Sequence, residues 1–171
     1  MTTSVGSHLH THAHLDGTLS VGLPYARFFK TPIRKPVPQS EDALAAAQSR
    51  PLRVLLVEDS ALIRRHLVAL IEDTEGVTVS GEVDTEADAI AALQRDDFDA
   101  AVVDLQLREG SGFGVLQHLK ANRPDVLAIV LTNSNTSAMR SRSMALGAHH
   151  FLDKSSEFDC VGELLEAMRK P

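Results

Sequence analysis

A single cysteine, Cys160, cannot close an internal disulfide, so the chain carries no covalent staple and suits a reducing compartment. No uninterrupted apolar run is long enough to span a bilayer. The N-terminus lacks the basic start and apolar stretch of a secretion signal, since the first Lys or Arg is Arg27. A basic excess is missing too: 17 Lys and Arg against 23 Asp and Glu leave a net charge of −6, which argues against nucleic-acid binding by electrostatics. Membrane, secreted and disulfide-stapled classes are thereby set aside. What remains is a soluble, cytoplasmic chain of 171 residues, enough for one ordinary domain and a tail.

The charge is unevenly spread. Residues 1–50 hold five basic and three acidic residues, whereas 51–171 hold twelve and twenty, a net charge of −8. Four of the seven prolines fall between Pro24 and Pro38, a segment that resists both helix and central strand and reads as an extended linker. Residues 1–50 are therefore expected to be a disordered, His- and Pro-rich extension, and 51–171 the folded domain. His8, His10, His12 and His14 alternate, so an extended chain would set all four on one side, where Zn²⁺ or Ni²⁺ could bind. The following HLDG resembles the His-x-His opening of amidohydrolase barrel enzymes, but such barrels need roughly 250 residues, and a solvated tail is the preferred reading.

From Arg53 the pattern becomes regular. RVLLV (53–57) is continuously apolar, and Leu62, Ile63, His66, Leu67, Leu70 and Ile71 then recur at helical spacing. VTVSGEV (77–83) is polar on alternate residues, as at a sheet edge. Thr85 and Asp88 make a capping pattern that opens a helix through Ala87, Ile90, Ala91 and Leu93. AAVV (100–103), VLAIVL (126–131) and HHFL (149–152) are three further strands. Between and after them, helices are marked by Phe113, Leu116 and Leu119, by Ser137 to Leu146 with Gly147 as C-cap, and by Phe158, Val161, Leu165 and Met168. Strands apolar on both faces need helices above and below, and strand–helix alternation gives right-handed crossovers. The expectation is an α/β fold, a five-stranded doubly wound parallel sheet. Ligands of such sheets bind beyond the carboxyl ends of the strands, where Glu58, Asp59, Asp104, Thr132 and Lys154 fall.

Three carboxylates gathered in one crevice repel one another and call for a cation. Oxygen-only ligands suit a hard ion such as Mg²⁺, while a threonine hydroxyl and a lysine ammonium suit phosphoryl oxygens. A carboxylate in that company can act as a nucleophile on phosphorus. Taken singly, Asp59 reads equally well as a helix cap, Asp104 as a loop carboxylate, Thr132 as a turn hydroxyl and Lys154 as a solvated charge. Their conjunction favours a phosphoacceptor site.

LLVEDS (55–60), VVDLQLREGSG (102–112), LTN (131–133) and FLDKS (151–155) occur in that order at strand ends. Spacings of 45, 28 and 22 residues separate Asp59, Asp104, Thr132 and Lys154. These motifs resemble the receiver domain of two-component response regulators, over about residues 52–170. The resemblance implies a flavodoxin-like strand order 2-1-3-4-5 and a phosphoacceptor role for Asp104, with Thr132 and Lys154 acting on the phosphoryl group. It further implies Mg²⁺ held by Glu58, Asp59, Asp104 and the backbone carbonyl of Gln106. Phe151 matches the family's rotating aromatic switch. The implied donor is a phosphohistidine on a sensor histidine kinase or a histidine phosphotransfer protein.

The match departs from the common pattern at three positions. Ser155 follows the lysine where proline is usual, Arg108 stands where many members carry proline, and Asn133 is larger than the usual small residue and becomes a candidate access gate. With 17 residues after Lys154, the sequence suggests a single-domain switch whose output passes to a downstream protein, with no direct contact to nucleic acid or membrane. The fourth helix, fifth strand and fifth helix would carry that output, Arg140 and Arg142 offering contacts to an acidic partner. The alternative is a pseudo-receiver, the same fold used as a phosphorylation-independent binding module. A haloacid-dehalogenase-like phosphatase is disfavoured, because Gln106 stands where the second acid would be.

Overall fold

Apolar runs bounded by polar strand ends settle into ten alternating elements. In a computed structural model that describes residues 50–169, these are β1 (Leu52–Val57), α1 (Ala61–Glu72), β2 (Val77–Val83), α2 (Glu86–Arg95), β3 (Ala100–Val103), α3 (Gly112–Asn122), β4 (Leu127–Thr132), α4 (Ser137–Ala145), β5 (His150–Asp153) and α5 (Cys160–Arg169). The expectation for residues 1–50 and the His8–His14 pattern concerns, apart from Arg50, residues outside those described. The strands form one parallel sheet in the order β2-β1-β3-β4-β5, as expected. Among the described residues no helix is long and apolar enough to cross a membrane.

Alternate residues of each central strand feed two cores. Leu55, Val57, Ala101, Val103, Ala128 and Val130 face α2, α3 and α4, while Val54, Leu56, Ala100, Val102, Ile129 and Leu131 face α1 and α5. Four helices open on a hydroxyl cap, because Ser60, Thr85, Ser111 and Thr136 each accept a hydrogen bond from a first-turn amide. Thr85 also donates its hydroxyl to the Asp88 carboxylate at 2.7 Å, so the capping pair closes through the side chains. Gly147, at φ +96°, ends α4 as its spacing suggested. The alternating polar residues of β2 do lie on an edge strand.

The helices bury narrower stripes than their apolar periodicity suggests. On α1, Leu67 and Ile71 are buried and Ile63 and Leu70 half-buried, whereas Leu62 and His66 point outward. On α2, Ala89, Ala92 and Leu93 face the sheet, and Ala87 and Ala91 are exposed. On α5, Met168 is exposed and Leu164 takes part in the packing instead. A helix laid on one face of a sheet covers only the residues within one side of its turn, and small or apolar residues at the stripe's margin stay wet. Leu67→Ala should therefore lower unfolding free energy by about 2–5 kcal/mol in urea denaturation, and Leu62→Ala by less than about 0.5 kcal/mol. Equal losses would contradict this division of the α1 stripe.

Candidate functional site

Parallel strands end side by side, so the residue that follows each strand lands on one rim of the sheet. The ladder runs one step beyond the strands and fixes those residues. Glu58 donates its amide to the Val83 carbonyl at 3.0 Å, Asp104 to Val57 at 2.9 Å and Lys154 to Thr132 at 3.0 Å. Glu58, Asp59 and Asp104 thereby converge, one carboxylate oxygen of each lying within 4.8 Å of the others.

Lys154 stands at the centre of this cluster. Its ammonium is 2.7 Å from Glu58 Oε2 and 2.6 Å from Asp104 Oδ2, and the three side chains are 6%, 2% and 7% exposed. The other carboxylate oxygens are held by backbone amides: Ser60 donates to Glu58 Oε1 at 3.1 Å and Gln106 to Asp104 Oδ1 at 3.2 Å. Burial pushes the Glu58 carboxyl above the usual carboxylate range, against the pull of the Lys154 hydrogen bond and charge. Three ionised carboxylates and one ammonium leave two formal negative charges. Oxygen ligands carrying that residual charge fit a hard divalent cation such as Mg²⁺, with Glu58, Asp59 and Asp104 as the residues able to hold it.

Thr132 is fully buried at the end of β4, its hydroxyl oxygen accepting the Ser134 amide at 3.3 Å. Its tie to the cluster is the backbone bond to Lys154. Asn133 is exposed beside it. Phe151 is buried in the core under α2–α4, and the Arg140 guanidinium lies 4.7 Å from its ring centre. Arg142 sits likewise 4.0 Å from the Phe113 ring. Both exposed arginines of α4 thus lie over aromatic rings, a placement their helical spacing did not suggest. Gln106 has an exposed side chain, and its amide points to Asp104.

Ser155, where proline is usual in the family, ties its turn by hydrogen bonds instead. Its amide and hydroxyl both donate to Asp153 Oδ1, at 2.8 and 2.5 Å, and Asn135 donates to Asp153 Oδ2 at 3.1 Å. These bonds hold the Asp153 carboxyl below its ordinary range and tie down the turn that carries Lys154.

Two supporting residues were not singled out from the sequence. Arg64 reaches back from α1 to the Glu58 carbonyl at 2.7 Å and pairs with Glu82 at 3.4 Å, fixing the acidic turn from outside. Gly112 leaves no room for a side chain, since a Cβ there would lie 2.1 Å from the Asp104 carbonyl oxygen. The glycine of the GSG segment was a visible signal; the reach of Arg64 was not.

Removing the shared ammonium strands two buried carboxylates. In metal-free buffer, Lys154→Met should therefore lose about 3–5 kcal/mol in chemical denaturation, and adding Asp104→Asn should return much of it. A single variant as stable as wild type would contradict the charge balance described.

The model for the response regulator receiver domain matches residues 54–167. The chain is similar to the protein-glutamate methylesterase/protein-glutamine glutaminase of Symbiobacterium thermophilum, at 32% identity over 108 residues, covering 63% of this chain and 30% of that protein. It is also similar to a putative transcriptional regulator of Pseudomonas aeruginosa, at 31% identity over 117 residues, covering 68% of this chain and 55% of the other. The chain thus spans about 30% of the length of the curated methylesterases it matches. Among solved structures, the response regulator domain of Thermotoga maritima CheB superposes with a TM-score of 0.61 at 25% identity, over 70% of this chain and 95% of that one. The signal receiver domain of the putative response regulator NarL from Mycobacterium tuberculosis shares the fold, with a TM-score of 0.64 at 22% identity over 71% of this chain and 99% of that one. A match over residues 54–167, on a sheet of order 2-1-3-4-5, places the chain in the response regulator receiver family of two-component signalling.

Proposed function

We propose that residues 51–171 act as a cytoplasmic phosphorylation-operated switch that takes a phosphoryl group onto Asp104 from a phosphohistidine, on a sensor histidine kinase or a histidine phosphotransfer protein. The observation that carries this reading is the buried Lys154 ammonium shared by Glu58 and Asp104, with the Asp59 carboxylate beside them. In the transfer, a carboxylate oxygen of Asp104 attacks phosphorus, the P–N bond to the donor imidazole breaks, and the imidazole leaves as it takes up a proton. The protein's part is positioning and charge neutralisation.

Asp104 is held for attack by its backbone bond to Val57 and by the Gln106 amide. Lys154 moves from neutralising the free carboxylate to neutralising the phosphoryl oxygens. Thr132 supplies a hydroxyl to the same oxygens. Glu58, Asp59, Asp104 and the Gln106 carbonyl are the groups assigned to Mg²⁺. When bound, Mg²⁺ supplies neutralising charge for the incoming phosphoryl group. Asn133, exposed beside Thr132, is assigned the role of access gate that limits donor size.

Output from this domain follows from coupling of the phosphoryl site to its α4–β5–α5 surface. Once Thr132 engages the phosphoryl group, β4 shifts against β5, and Phe151 reports that shift to α4 through the Arg140 stack. The partner met by α4, β5 and α5 is a downstream protein. The methylesterase activity named for the relatives belongs to those proteins, of which this chain matches about 30%.

Intact mass after incubation with Mg²⁺ and acetyl phosphate tests the reading. Wild type should gain one phosphoryl group, and Asp104→Asn none. If acetyl phosphate fails, a phosphorylated histidine phosphotransfer protein is the decisive donor. No uptake from either, or retained uptake in Asp104→Asn, overturns the assignment, the first result favouring a pseudo-receiver.

A further inference from the structure

The connection between Asp104 and α3 carries Gln106, and three contacts, the second a parallel bridge made by a backbone bond, tie it to the β2–α2 turn. Arg108 pairs with Asp84 at 2.7 Å, Thr85 and Glu109 form an isolated parallel bridge in which Glu86 donates its amide to the Glu109 carbonyl at 3.1 Å, and Ser111 donates its amide to Glu86 Oε2 at 2.8 Å. The Glu86 carboxylate occupies a notch cut by two glycines. A Cβ at Gly114 would lie 2.0 Å from Glu86 Oε1, and one at Gly110, where φ is +82°, would lie 2.4 Å from Glu86 Cβ. The inner side of the same connection is held by Asp104, through the Gln106 amide, and by Gly112, which donates to the Leu105 carbonyl at 3.2 Å.

We propose that Glu86 is a positioning residue for the cation and phosphoryl site: by holding Ser111 from outside, it fixes the β3–α3 connection so that Asp104 and the Gln106 carbonyl keep their places. This rests on the reading of those two groups as cation ligands. Ser111 to the Glu86 carboxylate is the one part-buried side-chain contact of the three. The Arg108–Asp84 pair is solvated, with side chains 61% and 33% exposed, and contributes little. Glu86 touches neither the carboxylate cluster nor Lys154 in any contact described above, so it acts on the site only through the loop.

Calorimetric Mg²⁺ titration of the full chain, paired with thermal unfolding, tests this. Glu86→Ala should raise the Mg²⁺ Kd by about tenfold. Glu86→Gln, which keeps an acceptor for Ser111, should stay within about threefold of wild type. Gly114→Ala gives the sharper separation. Alanine inside a helix ordinarily favours stability, yet here its methyl displaces the Glu86 carboxylate, so Mg²⁺ affinity should fall while Tm does not. If Glu86→Ala fails to fold, Gly114→Ala decides. A Kd within about twofold of wild type in Gly114→Ala, or a loss that only tracks a fall in Tm, overturns the proposal.

Amide hydrogen exchange over residues 106–111 in metal-free buffer separates the strap from the cation reading. Faster exchange in Glu86→Ala and Gly114→Ala supports the strap. Exchange as slow as in wild type overturns it. A wild type that binds no Mg²⁺ at all contradicts the ligand reading instead, and exchange alone then judges the strap.

Discussion

Two carboxylates share one buried ammonium at the rim of this sheet, and the rest of the site is arranged around that inequality of charge. Lys154 lies within 2.7 Å of both Glu58 and Asp104, and Asp59 adds a third negative group beside them. One cation cannot balance three anions. Burial makes the shortfall matter, because the same charges in open water would be screened and weakly coupled. Burial, with a smaller push from the Asp104 charge, raises the Glu58 carboxyl even against the pull of Lys154. A divalent cation and a phosphoryl group are the two additions that change the balance, and a switch can be built on either.

The fold supplies the convergence without special local structure. Parallel strands deliver Glu58, Asp104, Thr132 and Lys154 to one edge, and backbone bonds past the strand ends hold three of these four residues in register. Loops then refine what the sheet provides. Ser155 and Asn135 tie down the turn before α5 through Asp153, and Glu86 straps the connection after β3. In each case a set of hydrogen bonds stands at or near a position where proline is common in the family. In this chain side-chain hydrogen bonds stand at those turns.

Most of the frame was legible in the sequence. Central strands apolar on both faces and an alternately polar β2 set the parallel sheet and its edge, while the order 2-1-3-4-5 came from the family resemblance. Glu58 and Asp104 were readable because each directly follows an apolar strand, and Lys154 because it lies one residue further on, in the FLDKS segment. Less legible was anything set by contact between distant segments. The apolar period of α1 is wider than its buried stripe, so Leu62 and His66 were assigned to a face that the sheet does not cover. Arg140 and Arg142 read as free charges, yet the rings of Phe151 and Phe113 lie beneath them. Arg64 on the Glu58 carbonyl and Glu86 on the Ser111 amide are invisible to spacing, since a long side chain reaches whichever turn the fold brings close.

The carboxylate rim is short of positive charge, a deficit that a divalent cation would fill. Chemical denaturation of wild type and Asp59→Ala, each with and without Mg²⁺, measures that deficit. At a free Mg²⁺ concentration ten times the Kd, wild type should gain about 1.4 kcal/mol, and Asp59→Ala at the same concentration should lose most of that gain. No stabilisation of wild type by Mg²⁺, or an equal gain in Asp59→Ala, would contradict the account.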